Sequence, residues 1–570
     1  MTDRLEATPG ALDAVSHRRP SGRSLALAAG AGLVAVVLAG IGLVGAGVLP
    51  GAGTAAVAAP HFVDETAAAG IDLTYDGEAP FSVGGGVAVL DCDGDGKPDL
   101  YIAGGGSARA VLYHDDSPVG GALRLTAIHD AATGLTDVTG AYPLDVDGDG
   151  QVDLAVLRAG GLTLLRGLGG CQFAPADDRW GLAAGSGLVT AFSATWEGEA
   201  SLPTLAVGRY LRLDQTGAET TDCDTNSLLR PDSTGARYGP PVELSPGYCT
   251  LSMLFSDWDG SGRRDLRVTN DRNYYIDGSD QLWRVTPGEP PRLYTAADGW
   301  QPLRIWGMGI ASYDVTGDGH PDVYLTSQGD NKLQTLAAGP SAPTFQDIAL
   351  TRGVTAAQPF TGGDVLPSTA WHPEFQDVNN DGRIDLFVSK GNVRAQPDYA
   401  IKDPSDLLLG QPDGTFAEGA AAAGIVDFGK GRGAALADFN LDGLLDLVEV
   451  HLGDPVRLWR NVGAGDAAAP APMGAWLAVR VGQPGPNVDA IGGWVEVRTG
   501  DRSTRRELTV GGGHLGGQLG WLHFGLGTAA SAEVRVTWPD GEVGPWQRVA
   551  PDTFVDLTRG TAPRPWQPGG

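Results

Sequence analysis

Residues 91–99, DCDGDGKPD, place Asp91, Asp93, Asp95 and Asp99 within nine positions, with Gly94 and Gly96 between them. Carboxylates this close repel one another unless a cation sits among them or the segment stays open to water. The pattern recurs as DVDGDGQVD from Asp145, DWDGSGRRD from Asp257, DVTGDGHPD from Asp314, DVNNDGRID from Asp377 and DFNLDGLLD from Asp438. All six copies carry Asp at position 1 and Gly at position 6, and end at position 9 on Asp99, Asp153, Asp265, Asp322, Asp385 or Asp446. Position 3 is Asp93, Asp147, Asp259, Thr316, Asn379 or Asn440, and position 5 is Asp95, Asp149, Ser261, Asp318, Asp381 or Asp442.

Every one of these side chains bears oxygen, which is the ligand set of a hard cation. Ca²⁺ takes six to eight oxygens from carboxylates, amides and backbone carbonyls, and Gly at position 6 permits the sharp turn that returns the later ligands. The opening resembles an EF-hand loop, but the end does not. An EF-hand needs Glu at position 12 in a helix, whereas here that column reads Ile102, Val156, Val268, Leu325, Val388 and Glu449. The position-9 carboxylate is expected to close the cage instead. The next residues in each copy (DLYIA, DLAVL, DLRVT, DVYLT, DLFVS, DLVEV) are short and β-rich, so each loop feeds a strand. Asp-Gly clusters also form plain β-turns without metal. Six copies in one register favour a cation, and the loop with Ser261 departs furthest from the pattern. The expectation is up to six Ca²⁺ ions. They would offset the repulsion of 20 loop carboxylates and bring the formal charge from −29 to −17. Affinity per site is expected at about 10⁻⁴ to 10⁻³ M, as in extracellular modules.

Successive copies begin 54, 112, 57, 63 and 61 residues apart. The long interval spans two periods, so a degenerate copy is expected near 195–205, where VTAFSATWEGEASLPTLAVGRYL has two strands and a turn but lacks Asp at positions 1 and 9. Seven repeats of this size suggest a propeller or a solenoid. A second element decides between them. An aromatic or aliphatic residue, often followed by an acid and then by Gly with an aliphatic or Trp, recurs from Phe62, Leu125, Phe173, Leu293, Phe345 and Phe416, yet is missing after the last loop. A leading copy without a trailing one fits a ring in which Phe62-Val63-Asp64 completes the last blade and covers an open sheet edge.

Lys and Arg total 40 against 69 Asp and Glu, which argues against nucleic acid. Residues 25–49 carry no charge and come just after Arg18, Arg19 and Arg23. As a helix they span about 37 Å, enough for a bilayer core of about 30 Å. By the positive-inside rule residues 1–24 are a cytoplasmic tail, 25–49 a transmembrane helix or signal anchor, 50–60 a linker, and the remainder is exported. Cleavage after Ala56-Val57-Ala58 is the alternative and would give a secreted protein; a twin-arginine signal at Arg18-Arg19 is poorly matched by the residues after the pair. Four cysteines in an exported chain allow two disulfides. Cys223 and Cys249 bracket a Pro/Gly-rich stretch that a bridge would staple. Cys92 with Cys171 comes only by elimination, with two buried free thiols as the alternative.

GGGVAVLDCDGDGKPDLYIAGG resembles the FG-GAP/VCBS repeat, the unit of the integrin α-subunit propeller, and the resemblance spans residues 61–465. It implies Ca²⁺ in the Asp/Asn loops, here at the 24 loop positions 1, 3, 5 and 9. From Ala475 the loops stop. WLAVRV, GWVEVRT, RRELTV, WLHFGLG, AEVRVTW and TFVDLT alternate apolar and polar residues between turns, as in a small β-sandwich or half-open barrel. NVDAIGGWVEVRTG, GGGHLGGQ, LHFGLG and VTWPDGEV are similar to the ASPIC/UnbV domain over residues 474–560, leaving 561–570 as a tail. Where that family usually reads Gly-Tyr-Leu-Ser-Gln, this chain has residues 513–518, GHLGGQ, without the hydroxyls. The domain order resembles that of the cartilage acidic protein 1 family.

The chain is therefore expected to be all-β, with a seven-bladed propeller, a C-terminal β-sandwich-like domain and one N-terminal transmembrane helix. No catalytic constellation stands out, so the expected role is not enzymatic. Of the nine His residues, His320 lies at variable position 7 of a loop, and His514 and His523 sit near each other in the C-terminal domain without a third ligand. The expected role is recognition or adhesion at the cell surface, with an extracellular protein or glycan as partner and the membrane reached through the N-terminal helix. The alternatives are a polysaccharide-active enzyme with its site at the propeller axis, or an accessory protein of secondary-metabolite biosynthesis.

Overall fold

Each of the six Asp loops forms the turn of a β-hairpin. In every case position 9 pairs with the residue just before position 1: Leu90 with Asp99, Leu144 with Asp153, Ser256 with Asp265, Tyr313 with Asp322, Gln376 with Asp385 and Ala437 with Asp446. The turn closes because its position-6 glycines all take positive φ, between 80° and 87°, a conformation that side chains with a Cβ resist. These features come from a computed structural model that describes residues 57–568, apart from 184, 215 and 272–275.

These hairpins are the first two strands of six sheets in a series of seven, each four-stranded and antiparallel. In chain order their first strands are Val87–Leu90, Val138–Leu144, Val189–Thr195, Thr250–Ser256, Ile310–Tyr313, Ala370–Gln376 and Gly431–Ala437. Each first strand touches the next, and the seventh touches the first. The last sheet takes its outer strand from the start of the described chain: His61–Asp64 pairs with Arg457–Gly463, as expected from the unmatched leading copy. The outer strands of several sheets run into one-turn helices ending on a left-handed glycine, such as Gly70 (φ 94°) and Gly424 (φ 84°). These are the aromatic–acid–Gly elements of the sequence.

The third sheet has no Asp loop. Its turn joins Val189–Thr195 to Thr204–Arg209 and is tied by Glu197, which accepts from Arg230 Nε and Thr204 Oγ1, each at 2.7 Å. The two outer strands of this sheet, Asn226–Leu229 and Val242–Leu244, lie inside the stretch between Cys223 and Cys249, which by its sequence reads as a long loop. Their runs are too short to show a period. Both disulfides are formed: Cys223–Cys249, and Cys92–Cys171, which ties the Asp91 loop to the second sheet.

Residues from Ala475 build two four-stranded sheets packed around Leu477, Val479, Val495, Val497, Val534 and Val555. Arg564–Trp566 is an edge strand paired with Thr553–Thr558, so the domain runs past residue 560 into the segment that reads as a tail from sequence alone. Three residues flanked by Pro give too little alternation to read as a strand. Among the described residues no helix is long and apolar enough to cross a membrane; the expected transmembrane segment, 25–49, lies outside them.

Candidate metal loops and the domain seated on them

Within each loop the side chains first pin the backbone. The position-1 carboxylate accepts backbone N–H groups from positions 4 to 6: Asp91 from Gly94 and Gly96 (2.8 and 3.0 Å), and Asp314 from Gly317 and Gly319 (2.7 and 2.9 Å). Asp145, Asp257, Asp377 and Asp438 likewise take the position-6 N–H. Position 3 accepts from position 5 in Asp93, Asp259 and Asn379. Position 5 accepts from position 7 in Asp95, Asp149, Asp318, Asp381 and Asp442, and weakly in Ser261 at 3.4 Å. At positions 3 and 5 one carboxylate oxygen fixes the turn and the second is left for other partners, whereas at position 1 Asp91, Asp145, Asp314, Asp377 and Asp438 take turn N–H groups on both oxygens.

Position 9 does more than sequence reasoning assigned to it. Asp99, Asp153, Asp385 and Asp446 take the position-2 N–H on one oxygen and an N–H of the third strand on the other. Asp322 takes the N–H groups of Val315 and Thr316 on one oxygen. These buried acids join three strands of a sheet as well as lining the loop.

Burial raises the affinity of the acids for protons. Asp99 and Asp153 are pushed up to about 8, Asp377 to about 8, and Asp145, Asp257 and Asp322 to about 6, desolvation being the main cause in each. Asp91, Asp314, Asp385, Asp438, Asp442 and Asp446 move the same way for the same reason. A bound cation would favour the ionised forms. Oxygens of Asp91, Asp93 and Asp99 lie within 4.8 Å of one another, as do those of Asp145, Asp147 and Asp153. The other four loops gather their carboxylates less closely. Buried acceptors without a partner remain at Asp147 Oδ1, Asp257 Oδ1 and Asn440 Oδ1. The Asn440 amide explains its case: Nδ2 donates outward to Gly121 O (2.8 Å) and to Asp442 (3.2 Å). Thr316 sits on Asp322 at 3.5 Å. A ligand set of buried, part-filled oxygens fits a hard divalent cation.

Basic side chains share some of these acids. His114 Nε2 is 3.1 Å from Asp93, Lys97 is 3.6 Å from Asp95, Arg166 reaches Asp147 and Asp149, and Arg383 reaches Asp381.

The C-terminal domain is seated on all six loops, which sequence reasoning missed. Trp521 Nε1 donates to Gly96 O (2.8 Å), and Arg480 Nη1 is 3.6 Å from Asp91. A Cβ at Gly148 would meet Pro486 at 2.8 Å. Glu507 accepts from Ser256 Oγ (2.6 Å) and Asp257 N (2.9 Å), and Arg505 donates to Gly319 O (3.0 Å). His523 Nε2 lies 2.6 Å from Asn380 Oδ1, and Leu441 packs with Trp476 and Phe554. One signal was available. Position 4 also takes positive φ and is Gly in four loops, but Asn380 (φ 57°) and Leu441 (φ 55°) in the last two. A leucine there is held against a local cost of about 1–2 kcal/mol, and the interdomain contact offsets it.

From this domain residues 510–518 enter the space enclosed by the first strands. Val89 N donates to Gly517 O (3.0 Å), Ala141 N to Leu515 O (3.1 Å), Ala194 N to Val510 O (3.0 Å), Gly512 N to Met253 O (2.7 Å) and Gly513 N to Ile310 O (2.7 Å). The approach needs glycine: a Cβ on Gly86 would lie 1.8 Å from Leu515 O, and one on Gly140 2.0 Å from it. His514 is buried beside Trp371 (5.0 Å between centroids) with Nε2 3.0 Å from Val83 O, and Arg432 lies 4.0 Å over the Trp371 ring. Burial and the neighbouring Arg432 push His514 down to about 3, so it stays neutral. A cavity of about 440 Å³ remains between the loops and the domain, its walls including Asp91, Asp145, Glu374 and Gln518.

A face of acidic hairpin loops capped by a β-domain defines the class. Residues 91–156, 314–388 and 377–449 match the FG-GAP-like repeat and residues 483–564 match the ASPIC and UnbV family, so the chain carries FG-GAP-like repeats followed by an ASPIC/UnbV domain. It is similar to cartilage acidic protein 1 of Mus musculus, at 27% identity over 237 residues, 38% of this chain and 33% of that one. The human protein of that name is 27% identical over 232 residues, 37% of this chain and 31% of that one. The match thus spans about a third of the length of these curated relatives. Among solved structures, a lectin from Agrocybe aegerita recognising non-reducing terminal N-acetylglucosamine aligns with 65% of this chain and 93% of its own, at 16% identity and a TM-score of 0.34.

Proposed function

We propose that the chain is an exported calcium-binding protein whose seven sheets form a seven-bladed β-propeller, with the Asp loops as its metal sites. The circuit of first strands and the outer strand His61–Asp64 support the propeller reading. The observation that carries the metal reading is the Asp145 loop. Three acids there lie within 4.8 Å, and Asp147 Oδ1 is buried without a partner. Asp91, Asp93, Asp95 and Asp99 would hold an ion in the first loop, and the matching positions of the Asp145, Asp314, Asp377 and Asp438 loops would do so in theirs. The ion would supply positive charge to acids that are otherwise protonated or repelling.

The role this supports is recognition rather than catalysis. The alternative enzyme needs an open site at the propeller axis, and residues 510–518 lie there, bonded to five of the first strands. A rigid disc anchored by residues 25–49 would present its remaining loops to an extracellular protein or glycan; this step rests on analogy between folds. A glycan array probed with the full-length chain in calcium and in chelator tests it. Calcium-dependent binding is expected if the ligand is a glycan, and a blank array points to a protein partner. The same melting temperature in calcium and in chelator would remove the metal reading.

A further inference from the structure

The loop at 257–265 differs from the other five at its last carboxylate. In those five the position-2 backbone N–H donates to position 9, and among the described residues no basic side chain bonds to that acid. At Asp265 the position-2 residue donates a side chain instead: Trp258 Nε1 to Oδ2 at 2.9 Å. Tyr294 OH donates to the same oxygen at 2.7 Å, and Val285 N to Oδ1 at 3.1 Å. Arg263 adds Nε to Oδ1 (2.9 Å) and Nη2 to Oδ2 (3.0 Å). An ionised carboxylate offers about four lone-pair directions, and these five donors fill them. The same Nη2 lies 3.1 Å from Asp259 Oδ2 at position 3.

The guanidinium of Arg263 therefore bridges positions 3 and 9, where a cation would otherwise stand between the acids. Arg383, also at position 7 of its loop, turns to Gly410 O and Asp381 and leaves Asp385 to the backbone. Arg166 reaches Asp147 and Asp149 but not Asp153. Position 5 is here the neutral Ser261, which removes one ligand charge. Asp257 keeps an unpartnered oxygen, but the acid that would complete its cage is taken. The neighbouring third sheet is built alike, its turn tied by Arg230 on Glu197.

We propose that Arg263 is the resident cation of the 257–265 loop, which ties this turn without a metal ion, so that the chain takes calcium in at most five of its six loops. The proposal rests on the calcium reading of the other five. Its test counts calcium bound to the full-length chain, purified in detergent and dialysed against about 2 mM radioactive calcium. Asp145→Asn is expected to lose one ion relative to wild type, and Asp257→Asn none. Loss of an ion from Asp257→Asn overturns the proposal. A second measurement needs no metal. In chelator, Arg263→Ala is expected to lower the melting temperature by about 3–5 °C, because Asp259 and Asp265 then face each other without a cation. A midpoint equal to wild type overturns the proposal whether or not the other loops bind calcium. A wild-type count of zero removes the calcium reading, and the chelator melt then decides this proposal alone.

Discussion

The backbone N–H of His514 donates to His372 Nδ1 at 3.1 Å, so a residue of the C-terminal domain is held by the first strand of the sixth sheet. Together with Gln518 Nε2 on Glu374 Oε1 (2.7 Å), this makes the domain part of the core rather than an appendage. Truncating the buried imidazole, His514→Ala, should cost about 2–4 kcal/mol through lost packing against Trp371 and an unpaired Val83 carbonyl. Denaturant melts should show the same loss in calcium and in chelator, since His514 touches no loop acid.

The seated domain should respond to the loops. If calcium fills the loops as proposed, its removal would let the acids repel and would loosen the turns on which Trp521, Arg505 and Glu507 rest. Hydrogen exchange at Ala141, Ala194 and Gly513, whose N–H groups bond across this junction, should then speed up about tenfold or more. Unchanged protection on chelation would mean that the two are independent.

Leu441→Gly sets two terms against each other. Glycine relieves about 1–2 kcal/mol of left-handed strain but gives up about 2–3 kcal/mol of burial against Trp476 and Phe554. A net loss of about 1 kcal/mol is expected from chemical denaturation, and a gain would show that the leucine is not a docking residue.

The pH dependence has a definite sign. Burial raises Asp99, Asp153 and Asp377 from an unfolded value of 3.8 to about 8. Without metal the folded state therefore binds more protons than the unfolded state between about pH 4 and 8. Stability is full below the unfolded value and falls as pH rises through the folded one. In chelator the melting temperature should be higher at pH 5 than at pH 8, and saturating calcium should shrink or reverse that difference.

The loops were legible because their chemistry is local. Six copies share register, and the requirement for positive φ at position 6 shows as glycine every time. The pairing of His61–Asp64 with the last sheet was legible too, from a leading outer strand with no trailing one. The strands Asn226–Leu229 and Val242–Leu244 were not, being too short for a period inside a Pro/Gly-rich stretch. Nor was the seating of the C-terminal domain. The partner of Gly96 is Trp521, 425 residues away, and no local pattern announces such a pair. Only Asn380 and Leu441, standing where four other loops have glycine, hinted at an outside contact. The pairing of Cys92 with Cys171 likewise depends on the second sheet lying against the first.

Calcium as the cement of the loops is tested most directly by the melting temperature of the full-length chain in chelator and at about 2 mM calcium. Five sites of about 10⁻⁴ to 10⁻³ M each contribute about 0.6–1.8 kcal/mol at that concentration, a rise of about 3–9 °C for a chain of this size. A rise in that range, graded with calcium concentration and reduced by Asp145→Asn, is the predicted result. Identical melts with and without calcium would contradict it.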